Sequence, residues 1–309
     1  MIGVIGTLLS ALSVADASSV ASLDDVLSCL ETNGVLVDRS LAVQRGMEGI
    51  LKSIDPKACL ITNGVETVDD GGVTQAVQSV EFWPEDIAYL KIRGLVKGGG
   101  VDLRDRLQSL TRKAGIILDL RAAAGDDPDS VSCLAGLSRF REQEPLFILT
   151  DNQGHALSTN RAVAGLTVGA PLMVLIDGNT RCAAEALVAL WRGQPGVMLI
   201  GSTTHGDPRL RDVITLPDGR KVTLANRRLV PLFGDSYEGR GVPPDVCVAW
   251  GQSAANRAVF ETNPPRARAL SAKSEQDRDL MKRVEEDAVL RRATDILLGL
   301  RTLGGYGKP

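Results

Sequence analysis

Five short apolar runs between residues 87 and 201 constrain the fold of this chain more than any other feature. Each run is nearly continuous in apolar residues, and segments with helical periodicity separate most of them. A strand that is apolar on both faces is typical of a parallel sheet covered by helices on both sides. The sequence therefore predicts an α/β core. The five strands are IAYLKI from Ile87, GIILDL from Gly115, PLFIL from Pro145, PLMVLI from Pro171 and VMLIG from Val197. The helices are expected through Leu103 and Leu107, near Val131 to Phe140, and from Ala183 to Trp191.

The flanking sequence predicts further helices and a hairpin. Two helices are expected within residues 20 to 52, capped by Ser22 or Ser40, and Asp55-Pro56 ends the second because the residue before a proline avoids helical geometry. The segment DVITLPDGRKVTLANRRLV from Asp212 predicts two antiparallel strands around a Pro-Asp-Gly turn. The last sixty residues predict a polar linker and one charged helix. Its apolar face comprises Val284, Val289, Leu290, Ala293, Ile296, Leu297 and Leu300.

These patterns divide the chain into five segments. Residues 1–19 are a candidate signal peptide, 20–60 a helical lead-in, 61–86 a short linker with a loop or small hairpin at Thr62 to Gly72, 87–250 the core, and 251–309 a linker with the C-terminal helix. The apolar run at the start ends in Ala15-Asp16-Ala17, a small-x-small cleavage pattern, which predicts export. Because no basic residue precedes Arg39, a buried helix in a cytoplasmic protein remains the alternative.

Charge and composition exclude several kinds of partner. The 35 basic and 38 acidic side chains leave a net charge of only −3, which gives no field for holding nucleic acid. Two histidines, His155 and His205, are too few for a histidine-rich metal site, and we expect no metal and no cofactor. After the N-terminal run, no segment is long enough to span a bilayer.

The five cysteines form no CxxC pair, which disfavours a zinc ribbon or a thioredoxin-like motif. Four of them lie in apolar patterns and are predicted to be core residues: Cys29, Cys59, Cys133 and Cys247. His155 lies in the polar turn DNQGHAL and is predicted at the surface.

Four segments, in order and at matching spacing, resemble the C-terminal processing peptidases, also called tail-specific proteases. They are GIILDLRAAAG at 115–125, PLMVLIDGNTRCAAEALVAL at 171–190, VMLIGSTTHGD at 197–207 and LPDGRKVTLANRRLVPLFGDSYEGRGVPPDV at 216–246. Their usual counterparts in that family are ILDLRNNPGG, VLVN followed by SASASE, VVGExTFGKG, and LPDG with GKGIEPD. The lead-in LVDRSLAVQRGMEGILKSIDPKACLI and the terminal VEEDAVLRRATDILLGL are also similar, so that the resemblance covers about 250 of the 309 positions.

The resemblance implies the crotonase-like α/β fold and a peptide or unfolded protein segment as the partner. It also implies a PDZ domain between the SLDP helix and the first core strand. Only about 30 residues separate Pro56 from Ile87, whereas a PDZ fold needs on the order of eighty residues. We therefore expect no PDZ domain, and the resemblance leaves homo-oligomerisation open.

The resemblance also locates the catalytic positions, and all three differ from the family pattern. The family uses a serine nucleophile at the start of a helix, three residues before a glutamate, which is the position of Cys182 before Glu185. The lysine that acts as general base follows twenty-five residues later, at the position of Asp207. The glutamine that holds the lysine lies four residues further on, at Arg211.

A different catalytic arrangement can be drawn from the residues present. Cys182 is predicted at a helix N-terminus beside Arg181, which favours a thiolate, and His205 lies two residues before Asp207. His205 could then act as base and Asp207 could orient it, with the backbone N–H groups of Gly125 and Ala183 as the oxyanion hole. Against this, residues two apart on an extended segment point the same way without touching well.

The opposite interpretation is that the site is catalytically impaired. Asp207 near Cys182 disfavours a thiolate by charge repulsion, and Asp126 and Asp127 beside Gly125 oppose a developing negative charge unless they turn to solvent. We therefore predict a pseudo-peptidase that binds peptides or acts as a scaffold. The alternatives are an active peptidase that uses Cys182 with His205, and a carrier of a small apolar ligand.

Overall fold

A computed structural model describes residues 22–61, 76–110, 113–138, 140–141, 143–163, 169–232, 236–248 and 275–303. The candidate signal peptide at 1–19 and the predicted loop at Thr62 to Gly72 lie outside the described residues. The chain forms two compact units, residues 1–60 and residues 61–309. No helix among the described residues has both the length and the apolar character needed to cross a membrane.

The first unit contains the two predicted helices, α1 (Leu23–Thr32) and α2 (Arg39–Ile54). Ser22 caps α1 as predicted: its hydroxyl accepts from the Asp25 N–H at 3.1 Å, and the Asp25 carboxylate accepts from the Ser22 N–H at 2.8 Å. The predicted Ser40 cap is wrong, because Asp38 adopts an extended conformation and its carboxylate accepts from the Leu41 N–H at 3.0 Å.

The second unit is built on a sheet of six strands with the order β13-β10-β9-β5-β3-β2. Four of the predicted apolar runs are its central, mutually parallel strands: β3 (Ile87–Ile92), β5 (Gly115–Asp119), β9 (Leu172–Ile176) and β10 (Val197–Gly201). β2 (Val77–Trp83) pairs antiparallel with β3 at one edge, and the short β13 (Val246–Cys247) pairs parallel with β10 at the other. The prediction of a parallel sheet of doubly buried strands is confirmed for these four runs. It is wrong for the fifth run, from Pro145, which lies in a second sheet and pairs only with antiparallel neighbours.

Alternate residues of these strands contribute to two separate cores, which shows that both faces of the sheet are covered. Leu90 and Val174 belong to one core, together with residues of α3 (Gly100–Gln108), α4 (Pro128–Ala135) and α5 (Cys182–Trp191). Tyr89 and Met173 belong to the other, together with residues of α6 (Glu275–Glu286) and α7 (Ala288–Thr302).

The C-terminal region differs from the single predicted helix, because α6 and α7 are two helices separated at Asp287. The Asp287 carboxylate accepts from the N–H groups of Val289 and Leu290 at 3.1 and 3.0 Å, and so begins a new helix. The predicted apolar face does pack on the sheet, with Val284 on α6 and Leu297 on α7 both buried.

A second, antiparallel sheet contains β7 (Pro145–Asp151), β8 (Ala156–Arg161), β11 (Arg209–Thr215) and β12 (Lys221–Pro231). β12 pairs with both β11 and β7, and β7 pairs with β8. The β11–β12 hairpin is the predicted one, whereas β8 was not predicted because it is polar and almost wholly exposed. Two short strands, β4 (Gly94–Leu95) and β6 (Ala124–Gly125), form a parallel pair. A further strand, β1 (Cys59–Ile61), follows α2.

The predicted burial of four cysteines is partly wrong. Cys133 is buried and Cys59 is half-buried, but Cys29 and Cys247 are exposed. Cys29 lies two residues from the buried Leu27 on α1, a spacing that places it on the opposite face of a helix. Cys247 alternates with Val246 and Val248, both of which pack towards the core. His155 is exposed as predicted.

Candidate active site

Cys182 is the first residue of α5, at the end of the loop that follows β9. Two hydrogen bonds join this loop to the loop after the adjacent strand β5. The Thr180 hydroxyl donates to the Leu120 carbonyl at 2.9 Å, and the Arg181 N–H donates to the Ala123 carbonyl at 3.0 Å. Cys182 itself has φ +54° and is only 3% exposed. Positive φ in a residue other than glycine costs on the order of 1–3 kcal/mol and recurs at functional sites.

Asp207 lies beside Cys182, on the loop between β10 and β11. The Cys182 N–H donates to the Asp207 carbonyl at 3.2 Å. The loop is held by the buried Glu185, whose carboxylate accepts from the N–H groups of Gly206 and Asp207 at 2.5 and 2.8 Å and from the Thr204 hydroxyl. Burial raises the pKa of Glu185 although these three donors oppose the shift. Glu185 therefore fixes the backbone that brings Asp207 to Cys182.

The Asp207 carboxylate is clamped by two arginines of β11. Its Oδ1 accepts from Arg209 Nε at 2.7 Å, and its Oδ2 accepts from Arg211 Nη2 at 3.1 Å. Burial alone would raise the pKa of Asp207, but the Arg209 hydrogen bond and the Arg211 charge outweigh it and lower that pKa to about 2. Asp207 is therefore an anion at neutral pH.

Arg211 joins this carboxylate to the cysteine. Its Nη1 lies 3.6 Å from Cys182 Sγ, and its side chain is only 5% exposed. A guanidinium stays protonated in proteins and offers only donors, so it stabilises negative charge on the sulfur but accepts no proton from it. The structure thus brings together Cys182, Asp207 and Arg211, the three residues that the resemblance predicts at the catalytic positions.

His205 is placed on the same loop by its backbone. Its N–H donates to the Thr180 carbonyl at 3.1 Å, and its side chain is exposed. The predicted Cys182–His205–Asp207 arrangement stays a prediction. Both oxygens of the Asp207 carboxylate accept hydrogen bonds from arginines, which competes with the orienting role that this arrangement assigns to Asp207.

The predicted oxyanion residues lie on β6 and α5. Gly125 has φ +122°, and a Cβ there would lie 2.4 Å from the Leu95 carbonyl oxygen on β4, so only glycine fits. Ala183 is the second residue of α5 and is fully buried. The Asp127 carboxylate caps α4, where it accepts from the Ser130 N–H at 3.0 Å.

The model of Peptidase family S41 matches residues 86–248, more than half of the chain. The chain belongs to peptidase family S41. The predicted family is confirmed, and with it the crotonase-like α/β fold.

The curated relatives of this S41 protein include processing proteases and a nisin-resistance protein. A carboxyl-terminal-processing protease of Picosynechococcus is 26% identical over 247 residues, which cover 76% of this chain and 58% of the relative. A chloroplastic carboxyl-terminal-processing peptidase of Arabidopsis thaliana is 26% identical over 260 residues, 75% of this chain and 50% of the relative. A nisin-resistance protein of Lactococcus lactis is 25% identical and covers 43% of this chain and 45% of the relative. The chain thus spans roughly half the length of these curated relatives.

Solved structures agree on the fold. A lipoprotein from Streptococcus agalactiae superposes with a TM-score of 0.53 at 19% identity, over 75% of this chain and 84% of that one. A putative S41 protease from Bacteroides fragilis gives a TM-score of 0.52 at 17% identity, over 74% of this chain and 59% of that one.

Sequence reasoning missed three residues of the site of this S41 protein. The first two are Glu185, which the sequence indicates only as a marker for the position of Cys182, and Arg209. The third is Tyr237, which is 4% exposed and whose pKa is raised well above its usual value by burial and by the nearby Glu185 and Cys182. No local pattern identifies these contacts, because Asp207 precedes the first residue of β11 and its pairing with Arg209 depends on the conformation of the loop.

Proposed function

We propose that this S41 protein is a pseudo-peptidase, which binds peptides or unfolded protein segments on the S41 fold without hydrolysing them efficiently. The observation that carries the proposal is the ion pairing of Asp207, the residue at the family's general-base position, with Arg209 and Arg211.

The argument is one of proton affinity. A thiol of ordinary acidity has a pKa near 8.5, whereas Asp207 has one of about 2. Moving a proton from such a thiol to this carboxylate is uphill by about 9 kcal/mol. Arg211, which contacts the sulfur directly, offers no acceptor. Neither residue can therefore replace a neutral lysine as the base.

A proteolysis assay tests the proposal. Purified protein is incubated with fluorescein-labelled, denatured casein, and Cys182→Ala serves as the matched control. We expect equal, background release of fluorescent fragments by both proteins, and an anisotropy increase showing that both bind the casein. Cleavage by the wild type that is absent in Cys182→Ala would overturn the proposal, as would the absence of casein binding.

A second candidate, a cysteine peptidase, is favoured by one specific observation, the guanidinium of Arg211 at 3.6 Å from Cys182 Sγ at a helix N-terminus. Both features stabilise a thiolate, which needs less activation than a serine hydroxyl. Its test is alkylation of Cys182 by iodoacetamide from pH 5 to 9 in the wild type and in His205→Ala. Selective labelling near pH 6 that is lost in His205→Ala would support this candidate.

We also propose that the protein is exported and that no PDZ domain selects its substrates. Fifteen residues separate β1 from β2, and the apolar N-terminal run ends in a small-x-small pattern. N-terminal sequencing of the protein from its native host tests export: a mature chain beginning near residue 18 is expected, and an intact Met1 would contradict it.

A further inference from the structure

A cleft lies at the C-terminal end of α5, the end opposite Cys182. Its volume is about 520 Å³, within the range of small-molecule sites. It is lined by Ala189, Arg192 and Gly193 at the end of α5, by Thr203, and by residues 236–237 and 240–243.

The charge of the cleft is positive. Arg192 and Arg240 are both exposed lining residues, and none of the described lining residues is a carboxylate. Within the described part of the chain, neither guanidinium forms an ion pair. Arg240 Nη2 donates to the Ser236 carbonyl at 2.7 Å, which anchors that side chain at the cleft and leaves further N–H donors. Two guanidiniums with donors to spare are suited to a planar anion such as a carboxylate.

The helix dipole of α5 acts against an anion here, because a helix C-terminus carries about half a negative charge. Two of the terminal carbonyls are already satisfied: the Arg192 N–H donates to the Val188 carbonyl at 3.1 Å, and the Gln194 N–H donates to the Trp191 carbonyl at 3.0 Å. Two full positive charges therefore outweigh the remaining partial negative charge.

Part of the lining of the cleft is apolar, because Ala189 and Val242 are both buried lining residues. An apolar wall beside two guanidiniums suits a ligand that carries an apolar group next to its anion.

The wall of the cleft is fixed to the loop of the candidate active site. The Gly239 N–H donates to the Gly206 carbonyl at 2.8 Å, and the Val242 N–H donates to the Thr204 hydroxyl at 2.7 Å. A Cβ at Gly241 would lie 2.2 Å from the Thr204 carbonyl oxygen, so the two segments are in direct contact. These contacts fix the backbone of one wall of the cleft.

We propose that this cleft binds a carboxylate carried on a small apolar group, with Arg192 and Arg240 holding the carboxylate and Ala189 and Val242 contacting the apolar part. Two sources share this chemistry, the C-terminus of a peptide and a free short-chain carboxylic acid. The inference goes beyond the proposed function, because it concerns a site at the other end of α5 and makes no use of the reactivity of Cys182.

Calorimetric titration of the full chain tests it with three probes: N-acetyl-leucyl-valine with a free carboxylate, the same dipeptide as its C-terminal amide, and hexanoate. The variants are Arg192→Gln, Arg240→Gln and, as a matched control, Arg278→Gln, an exposed arginine on α6. We expect at least one of the two acids to bind. If the dipeptide acid is the ligand, its amide should bind at least about tenfold more weakly. Each cleft variant should weaken acid binding about tenfold, and Arg278→Gln should leave it unchanged.

The probes also separate the two sources. Binding of the dipeptide acid without hexanoate would assign the site to peptide C-termini, and binding of hexanoate without the dipeptide would assign it to free acids. Equal binding of dipeptide acid and amide, wild-type affinity in both cleft variants, or no binding of either acid would each overturn the inference. None of these results depends on proteolysis or on casein binding, so the proposed function is judged separately.

Discussion

Acidification is expected to remove a defined part of the stability through Asp207, the residue on which the pseudo-peptidase proposal depends. Its pKa is about 2 in the folded protein against an ordinary value of 3.8. Since one pKa unit corresponds to 1.36 kcal/mol, the ionised carboxylate contributes about 2 kcal/mol to the free energy of unfolding. A lowered folded-state pKa gives stability that is present above pH 3.8 and is lost as the pH falls through 2. About half of the contribution should be gone at pH 3.

The variant that tests this is Asp207→Asn, compared with the wild type by urea unfolding at pH 7, 5 and 3. The variant is less stable at pH 7, because it leaves the buried Arg211 guanidinium without its carboxylate. The decisive quantity is the difference between the two proteins, which should shrink by about 1 kcal/mol from pH 7 to pH 3. Glu185 has a raised pKa and contributes a dependence of opposite sign, but it is present in both proteins and largely cancels.

The matched control is Asp218→Asn. The Asp218 carboxylate accepts from Arg220 Nε at 2.7 Å, with the same two-residue spacing as Asp207 and Arg209. Both members of this ion pair are well exposed. An exposed pair contributes little, so we expect no measurable change in stability at any of the three pH values. A wild-type to Asp207→Asn difference that stays constant from pH 7 to pH 3 would refute the claim that Asp207 is held as an anion.

Three further substitutions test local features of the two units. Gly125→Ala should destabilise the protein by more than about 3 kcal/mol in urea unfolding, because the new Cβ would overlap the β4 backbone. The matched control is Gly178→Ala, whose Cβ would meet an oxygen only at 3.8 Å, and which should change stability by less than about 1 kcal/mol. Arg121→Met should cost about 3–5 kcal/mol by thermal and urea unfolding, since it strands the fully buried Asp119 carboxylate that Arg121 Nη2 contacts at 2.7 Å; unchanged stability would mean that the pair is dispensable. Ser22→Ala should weaken α1 by about 1 kcal/mol, seen as roughly fivefold faster amide hydrogen exchange in its first turns, and an unaltered exchange rate would argue against the capping box.

The core of this fold could be predicted from the sequence because its central strands are apolar on both faces. All five residues of β5 and of β9 are buried, and no other arrangement accommodates such runs as economically. The polar strand β8 carries no such signal. It exists because β7 offers it a hydrogen-bonding edge, which is a property of the tertiary structure.

The helix ends also include one that the sequence predicts and one that it does not. Ser22 was identified because a serine three residues before an aspartate forms a reciprocal cap, a purely local feature. The break at Asp287 was missed because the apolar periodicity continues through it from α6 to α7. Asp287 also pairs with Arg121 at 2.7 Å, a contact across 166 positions of sequence that no local pattern reports.

The catalytic positions were located by resemblance, but their chemistry required the structure. Cys182 and Asp207 could be counted from Glu185. That Glu185 accepts hydrogen bonds from Thr204, Gly206 and Asp207 could not, because these residues lie 19 to 22 positions away in the chain. Sequence spacing identifies which residues occupy a site, whereas the pKa of each depends on neighbours that only the fold supplies.

Asp207, the residue that the resemblance aligns with the family's lysine, is part of an organised network of ion pairs. β11 contains a register shift between Leu210 and Arg211, and such bulges re-aim side chains. Here Arg209 and Arg211 both reach the Asp207 carboxylate, and Arg211 also reaches the sulfur of Cys182. An aspartate alone at this buried position would carry the full desolvation penalty of a charge, so the arginines are what make it tolerable. The same cations that let Asp207 stay ionised also lower its affinity for a proton, so the stability of this ion-paired carboxylate and its weakness as a base have a single physical cause.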